Sequence, residues 1–330
     1  MPELMKRLFT GALLASAIAA PAFAAPEKIT ISVIKSASYG CFFIAKDKGY
    51  FAANDLDVDF VYFDASPPVA VAVAAGSLDF GIAATSAGYF NLADKLKIIG
   101  GFARESPGFQ GMTFVASMKG WNEGLHSLKD LAGHTVSIGT VGSSPHYSLA
   151  LIEQKYNIDP ASLKVVALQS STNQANALSG SSVDAGVTMS TTLMPAVQRG
   201  ETKLLGFVGD ETPWQLSAIL ATTKMLERKT TVEHFMAAYR LGAHDYAAAF
   251  KDDAGKRRDG PTADAVLEII AKYIGQTPDQ IKPAIGDVEQ DGKVDVQDLQ
   301  RQVDWYVSQG MMKNRIDVQT VIDKRYAKIM

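Results

Sequence analysis

Short runs rich in β-branched residues alternate along the chain with runs of helical periodicity. Ile29, Ile31 and Val33 recur with period two, which is typical of a strand. The Ala- and Val-rich run 69–75 ends at Gly76, as many helices do. On this basis we predict strands over 28–34, 56–63, 78–83 and 96–102, and helices over 39–48, 69–75 and 87–95. This alternating order indicates a mostly parallel sheet with helices on both faces.

Two breaks divide the rest of the pattern. After a break over 105–111, we predict strands over 135–138, 164–168, 183–187 and 203–208, and helices over 145–156, 172–178 and 193–199. After a second break over 209–214, we predict a strand over 216–222 and helices over 232–250, 263–274, 296–308 and 318–326. The sequence therefore predicts an α/β protein of two doubly wound βα lobes joined by a two-stranded hinge, with a helical C-terminal tail. Lobe 1 would comprise residues 25–104 plus 218–330, and lobe 2 residues 105–217.

The first residues have the pattern of a secretory signal peptide. Lys6 and Arg7 precede an uncharged, mostly apolar run over 8–20, and Pro21 and a small-x-small motif over 22–24 follow it. We predict a cleaved signal peptide over 1–24 and export to the periplasm. The alternative is a membrane anchor, but spanning a bilayer takes about 20 apolar residues and Pro21 interrupts this run early.

Composition narrows the class of protein. The chain has 330 residues, of which 47% are hydrophobic, so it can bury a large core and is not disordered. The formal net charge is -3, and without a basic excess we expect no nucleic-acid partner. The single cysteine, Cys41, excludes a disulfide framework, and its apolar neighbours predict that it is buried.

No catalytic motif is present in the sequence. Zinc-protease, nucleophile-elbow, phosphate-loop and dinucleotide-binding patterns are all absent. The histidines lack metal-ligand spacing; they are His126, His134, His146, His234 and His244. We therefore expect a protein that is not an enzyme and has no catalytic residue, no cofactor and no metal.

Hydroxyl-rich loops follow several predicted strands. Open α/β sheets bind ligands at the carboxyl ends of their strands, where helix N-termini offer unpaired N–H groups to an anion. The candidate ligand-binding residues in these loops are Ser36, Ser38, Tyr39, Thr85, Ser86, Thr140, Gly142, Ser143, Ser144, His146 and Ser190. Trp214 lies in the second break, where an aromatic side chain could form a cleft wall. The alternatives are that the hydroxyls only cap helices and that Trp214 only packs in the hinge.

These loops contain almost no charge. Lys35 and Arg104 are the nearest cations, so we expect neutral hydrogen-bond donors to hold most of an anion. Gly142 would matter because a missing Cβ lets the backbone approach the ligand. Ser144 and Pro145 predict an N-cap followed by the first helical position.

Residues 287–298 match the spacing of a calcium loop, with acids at positions 1, 3, 5, 9 and 12 and Gly292 at position 6. Position 12 is Asp298 rather than glutamate, and Glu289 at position 3 is bulky for such a site. The alternative is a turn followed by an acidic helix N-terminus. The sequence does not decide between them.

Several motifs together resemble a known family. They are Lys46-Asp-Lys-Gly-Tyr-Phe51, the segment 71–81, Leu96-Lys-Ile-Ile-Gly-Gly101, the segment 127–133 and Gly142-Ser-Ser-Pro-His-Tyr147. In order and spacing the chain is similar to substrate-binding proteins of nitrate/sulfonate/taurine-type ABC importers, a group that shares its fold with thiamine-pyrimidine synthases. The Cys-rich motif of those synthases is absent here, which argues against their suicide-substrate chemistry.

The resemblance implies a type II periplasmic binding fold with the ligand held between two lobes. It also implies a monomeric periplasmic receptor that passes a small organic anion to an ABC permease of the inner membrane. The loops, rich in hydroxyls and aromatics, favour a carboxylate or sulfonate, and an aromatic one is an option. Two alternatives stay open: an exported enzyme on the same fold, and a sensory subunit that presents its ligand to a membrane receptor.

Overall fold

The structure, a computed structural model, describes residues 25–330, so the predicted signal peptide lies outside the described residues. The strands in chain order are β1 Glu27–Val33, β2 Leu56–Tyr62, β3 Phe80–Ala84, β4 Leu96–Gly101, β5 Ala103–Glu105, β6 Met112–Ser117, β7 Thr135–Ile138, β8 Lys164–Ala167, β9 Ala185–Met189, β10 Thr202–Phe207, β11 Trp214–Gln215, β12 Ser217–Thr222, β13 Asp287–Val288, β14 Lys293–Val294 and β15 Lys328–Ile329.

The helices surround two large sheets. In chain order they are α1 Gly40–Asp47, α2 Tyr50–Ala53, α3 Ser66–Ala74, α4 Ala87–Phe90, α5 Met118–Asn122, α6 Ser144–Tyr156, α7 Ser171–Ser179, α8 Ser190–Gln198, α9 Val208–Glu211, α10 Lys229–Phe250, α11 Ala263–Ile274, α12 Pro278–Ile281 and α13 Val296–Ser308. The predicted α/β architecture of two lobes is confirmed.

Each lobe is built on one five-stranded sheet. The sheet of lobe 1 has the order β2-β1-β3-β12-β4, and that of lobe 2 has the order β10-β6-β9-β7-β8. Strands β1, β2 and β3 pair in parallel, but β12 runs antiparallel to β3 and β4, and β6 runs antiparallel to β9 and β10. Both sheets are therefore mixed: four strands run in one direction, and β12 or β6 runs against them. The sequence analysis missed β6 altogether.

Two predicted helices differ in the structure. The helix predicted over 87–95 ends at Phe90 and continues as turns. The helix predicted over 318–326 is wrong beyond one 3-10 turn, Val318–Val321. Ile322 instead forms a parallel bridge with Ile98, and the N–H of Asp323 donates to the Ile98 carbonyl at 2.8 Å. The segment is extended because it pairs with the edge of β4. The helical periodicity of its own residues does not predict this pairing.

The lobes are joined by paired strands at the two crossings. Strand β5 leaves lobe 1, β11 returns to it, and the two pair antiparallel, with Glu105 opposite Trp214. Strand β13 pairs with the other edge of β5. The two-stranded hinge of the prediction is therefore a three-stranded ribbon. The lobe boundaries at residues 104 and 217 stay predictions.

Helix α10 packs closely on α1 in lobe 1. Phe42 of α1 lies against Phe235 and Tyr239 of α10, with ring centroids 6.2 and 5.2 Å apart. The helices approach where α10 has Gly242: a Cβ added there would lie 2.1 Å from the Cys41 carbonyl oxygen. Cys41 is buried, as its apolar neighbours predicted.

We predict that Gly242→Ala destabilises the protein by about 1–3 kcal/mol, because the new methyl group would push α1 away from α10. Chemical denaturation at equilibrium measures the change in free energy of unfolding. Leu241→Ala is the control, because Leu241 is exposed on the same helix and its truncation should cost little. Equal stability of Gly242→Ala and wild type would contradict this account of the packing.

Glu105 is a buried carboxyl group in the hinge. Its side chain accepts from the Met112 N–H at 3.3 Å, and Gly111 packs so closely that an added Cβ would lie 2.7 Å from its Oε1. Burial raises the pKa of Glu105 well above its ordinary range, and the nearby charge of Asp287 adds to the rise. The folded hinge therefore favours the protonated acid.

This shift predicts a pH dependence of stability. Because the pKa is raised in the folded state, the group's stabilising contribution is complete below its unfolded pKa, about 4.3, and is lost as pH rises through the folded pKa. Glu105→Gln keeps a neutral polar side chain, so its stability relative to wild type should increase between about pH 5 and pH 8. Denaturant unfolding at several pH values measures this, with the exposed Glu123→Gln as control. Parallel pH profiles for Glu105→Gln and wild type would contradict it.

Candidate functional site

A narrow cleft lies between the two sheets, at the carboxyl ends of their parallel strands. Lobe 1 contributes Ile34, at the end of β1, and the loop 64–67 between β2 and α3. Lobe 2 contributes residues that follow β7 and β8 and the end of β9. This is where the sequence analysis expected an open α/β sheet to bind a ligand.

The N-terminus of α6 forms one wall of the cleft. Ser143 is its N-cap residue, and the Ser143 hydroxyl donates to the Thr140 carbonyl at 2.6 Å instead of capping the helix. Ser144 and Pro145 are the first two helical residues and line the cleft. The Thr140 hydroxyl is buried without a partner among residues 25–330. This wall therefore retains hydrogen-bonding groups that the protein itself does not satisfy.

The N-terminus of α7 lies beside it. The Ser170 hydroxyl accepts from the Asn173 N–H at 3.1 Å and so caps the helix. The Ser171 and Thr188 hydroxyls are 2.8 Å apart. Both α6 and α7 thus direct the positive ends of their dipoles toward the cleft, which favours an anion there.

A buried amide fixes the loop between β7 and α6. Gln174 has no exposed surface; with its amide oriented by its neighbours, the nitrogen donates to the carbonyls of Val187 and Ser137, at 3.1 and 3.2 Å. The oxygen accepts from the Gly139 N–H at 3.3 Å. One side chain therefore joins β7, β9 and the loop that carries Thr140.

The opposite wall has the same kind of loop. The Ser66 hydroxyl at the start of α3 accepts from the Ala84 N–H at 3.0 Å, and Pro67 follows it. Asp64 is the one charged residue among those that line the cleft, and it is exposed. Gln169 of lobe 2 also lines the cleft, with a left-handed φ of 70° that is uncommon for a glutamine.

Direct contacts join the lobes beside the cleft. The Ala87 N–H donates to the Gly142 carbonyl at 3.1 Å, and Gly142 has a φ of 75° that favours glycine. The Thr191 hydroxyl donates to the Lys35 carbonyl at 3.0 Å, and the Gln276 amide donates to the Thr191 carbonyl at 2.8 Å. The structure therefore shows the lobes in contact, with the cleft between them.

Three of the residues predicted from the sequence line the cleft, namely Thr140, Ser143 and Ser144. Gly142 and His146 adjoin them: the His146 Nδ1 accepts from the Gly142 N–H at 3.1 Å, and burial lowers the pKa of its imidazole. A neutral ring fits this accepting role.

The other predicted residues do not line the cleft. Tyr39 is buried and its hydroxyl donates to the Ile82 carbonyl at 2.8 Å, while Thr85 donates to Gln302. The Ser86 hydroxyl accepts from the Tyr89 N–H at 3.2 Å, as an N-cap does. The remaining four residues are buried and do not line the cleft, namely Ser36, Ser38, Ser190 and Trp214.

The sequence analysis missed the loops after β2 and β8. Ser66-Pro67 repeats the Ser144-Pro145 pattern, and Ser170-Ser171 follows a predicted strand. The rule that selected the other loops would have found these as well. Thr188 and Gln174 carry no such signal, because they lie within a strand and a helix.

The acids of the calcium-like segment do not converge on one point. Asp287 pairs with Lys251, Asp295 lies 3.4 Å from Arg104, and one oxygen of the buried Asp298 lies 2.6 Å from Arg301. Glu289 accepts from backbone N–H groups within the segment. The structure therefore shows a turn leading into α13, the alternative weighed against calcium.

One cluster of potential metal ligands occurs among the described residues: Glu123, His134 and Asp184. The ammonium of Lys119 lies 2.8 Å from Asp184 and 3.6 Å from Glu123, so a protein cation already balances these acids.

Among residues 25–330, no helix has the length and apolarity needed to cross a membrane.

Comparison with known proteins identifies the family and the fold of the chain. Residues 37–254 match the model of a family described as NMT1/THI5 like. No curated protein sequence matches the chain significantly.

Solved structures show the same fold. The alkanesulfonate-binding protein SsuA of Xanthomonas axonopodis pv. citri, bound to MOPS, superposes with a TM-score of 0.72 at 17% identity, covering 91% of this chain and 99% of that one. The periplasmic aliphatic sulphonate binding protein SsuA of Escherichia coli gives 0.71 at 18% identity, with coverage of 91% and 99%. The periplasmic nitrate-binding protein NrtA of Synechocystis PCC 6803 gives 0.72 at 9% identity, with coverage of 91% and 86%.

We predict that Ser170→Ala lowers the free energy of unfolding by about 1 kcal/mol, because the N–H of Asn173 loses its cap. Denaturant unfolding measures the loss. Thr172→Ala is the control, since Thr172 is exposed in the same helical turn. An equal effect of the two substitutions would show that the cap does not stabilise α7.

Proposed function

Because the chain belongs to the NMT1/THI5-like family, we propose that it is a periplasmic substrate-binding protein that captures a small organic anion and delivers it to an ABC permease of the inner membrane. The observation that carries this proposal is the meeting of the α6 and α7 N-termini in a cleft between two lobes. The named sulfonate- and nitrate-binding proteins of the same fold support the anion class.

The anion would be held mainly by neutral donors. Neither Lys35 nor Arg104 lines the cleft, and Arg104 lies 3.4 Å from Asp295. Backbone N–H groups and the hydroxyls of Thr140 and Ser144 would then bind a carboxylate or sulfonate. The acid group would lie on the side of α6 and α7, away from the carboxylate of Asp64.

Capture would work by closure about the hinge. A ligand docked on one lobe stabilises the closed state only through contacts that it also makes with the other lobe. The cleft offers such contacts, because residues of both lobes line it. The pairing of β5 with β11 places the flexing segments side by side, as a hinge requires.

Binding without turnover is the function that the cleft favours. Asp64 is the single titratable residue among its lining residues, whereas acid–base or nucleophilic catalysis uses at least one further partner. We propose that the protein acts as a monomer, without a cofactor, and that residues 1–24 direct it to the periplasm. Lobe 1 would consist of residues 25–104 plus 218–330.

A thermal-shift screen tests the proposed function. The protein is unfolded and refolded to remove carried ligand, then mixed with nitrate, sulfonates, carboxylates and pyrimidines, each acid beside its amino analogue because Asp64 would favour an ammonium group. A ligand at about 100 times its Kd should add about 2.7 kcal/mol of stability and raise the melting temperature by several degrees. Stabilisation by one class of acid supports the proposal. No response from any compound, in a folded sample, contradicts it.

We predict that Ser144→Trp abolishes binding of the ligand identified in that screen while the fold persists. Ser144 lines the cleft at the start of α6, and an indole there would fill the space between the lobes. Isothermal titration measures the loss. Val141→Trp is the matched control, because Val141 is exposed in the same loop and does not line the cleft. Unchanged affinity of Ser144→Trp would overturn the site.

A further inference from the structure

A second, open groove lies between α6 and α13. Helix α13 belongs to lobe 1, because its Leu299 and Val303 pack with Ile98 of β4. Helix α6 belongs to lobe 2 and separates this groove from the cleft. Both lobes therefore contribute walls to the groove.

The walls of the groove are aromatic. Tyr147 contacts Trp214 and Trp305 edge to face, with ring centroids 4.9 and 5.2 Å apart. Tyr147 and Trp214 are almost fully buried, at 3% and 1% exposure, so these two rings are fixed by packing. Trp305 is only half-buried, so its ring is the accessible aromatic surface of the groove, and it suits a flat ring because aromatic pairs gain energy beyond the area that they bury.

The groove has hydrogen-bond donors without acceptors. The indole Nε1 of Trp214 and the hydroxyl of Thr212 are both buried and have no partner among residues 25–330. An indole N–H can only donate, and a buried donor without an acceptor is costly. Both residues line the groove.

Arg301 adds a cation at the same place. One of its N–H groups contacts Asp298 at 2.6 Å, and the other oxygen of Asp298 accepts from the Gln215 N–H. Each oxygen of Asp298 therefore has a partner within the chain, whereas a guanidinium has five donors and keeps several free. Asp304, also in the groove, lies 2.7 Å from Arg315.

We propose that this groove is a second binding site, for a small aromatic carboxylate. The ring lies against Trp305, and the carboxylate accepts from Arg301. Arginine is suited to this contact because its fork matches a carboxylate. The site is separate from the cleft of the proposed function, and its test does not depend on the cleft ligand.

Tryptophan fluorescence provides the test, because two of the three tryptophans, Trp214 and Trp305, line the groove. The full protein carrying Trp121→Phe is titrated with 4-nitrobenzoate, which quenches an indole on contact. We expect saturable quenching and an affinity at least tenfold weaker with Arg301→Gln. Arg258→Gln is the matched control, because Arg258 is an exposed arginine that does not line the groove, and it should change the affinity less than twofold.

Ser144→Leu separates the groove from the cleft. If the probe binds the groove, filling the cleft leaves the titration unchanged. Loss of saturable quenching with Ser144→Leu but not with Arg301→Gln would place the probe in the cleft and overturn the proposal. Quenching that rises linearly without saturation would also overturn it. Unfolding midpoints within experimental error for every variant confirm that affinity, rather than folding, has changed.

Discussion

The position of β12 determines the architecture of the molecule. This strand lies between β3 and β4, with Ser217 opposite Ala84 and Ala218 opposite Gly101. The chain leaves lobe 1 directly after β4, so its return to β12 brings the two crossings side by side. The pairing of β5 with β11 follows from that arrangement, and β13 adds to its free edge. A hinge made of hydrogen-bonded strands is thus a consequence of completing the first sheet.

The same arrangement creates the cleft and its electrostatics. Because the parallel strands of each sheet end at the gap between the lobes, the helices that follow them begin there. Helices α6 and α7 therefore present N–H groups and positive dipole ends to one small volume. The cleft can favour an anion without a lysine or arginine among its lining residues. Asp64 is the one charged residue among those that line it.

The sequence predicted the lobes because their periodicity is local. Strands β1 and β7 and helix α13 follow directly from runs of alternating or helical residues. Strand β6 was missed because it lies next to a break and pairs only with distant β9 and β10. The extended segment at Ile322 depends on the edge of β4, about which its own residues carry no information.

The candidate site was only partly predictable for a similar reason. Hydroxyl-rich loops after strands are visible in the sequence, and Ser144 was found in this way. Whether a hydroxyl lines the cleft or caps a helix depends on how its loop is oriented. Ser144 lines the cleft, whereas Ser86 caps α4. The contact between Thr85 and Gln302 depends on where the C-terminal tail packs.

Strand order implies a folding order as well: residues 112–207 contain every strand of the second sheet. Lobe 2 can therefore assemble from one continuous stretch of chain. The sheet of lobe 1 is complete only when β12, which follows all of lobe 2 in the chain, inserts between β3 and β4. We therefore expect lobe 1 to form more slowly than lobe 2.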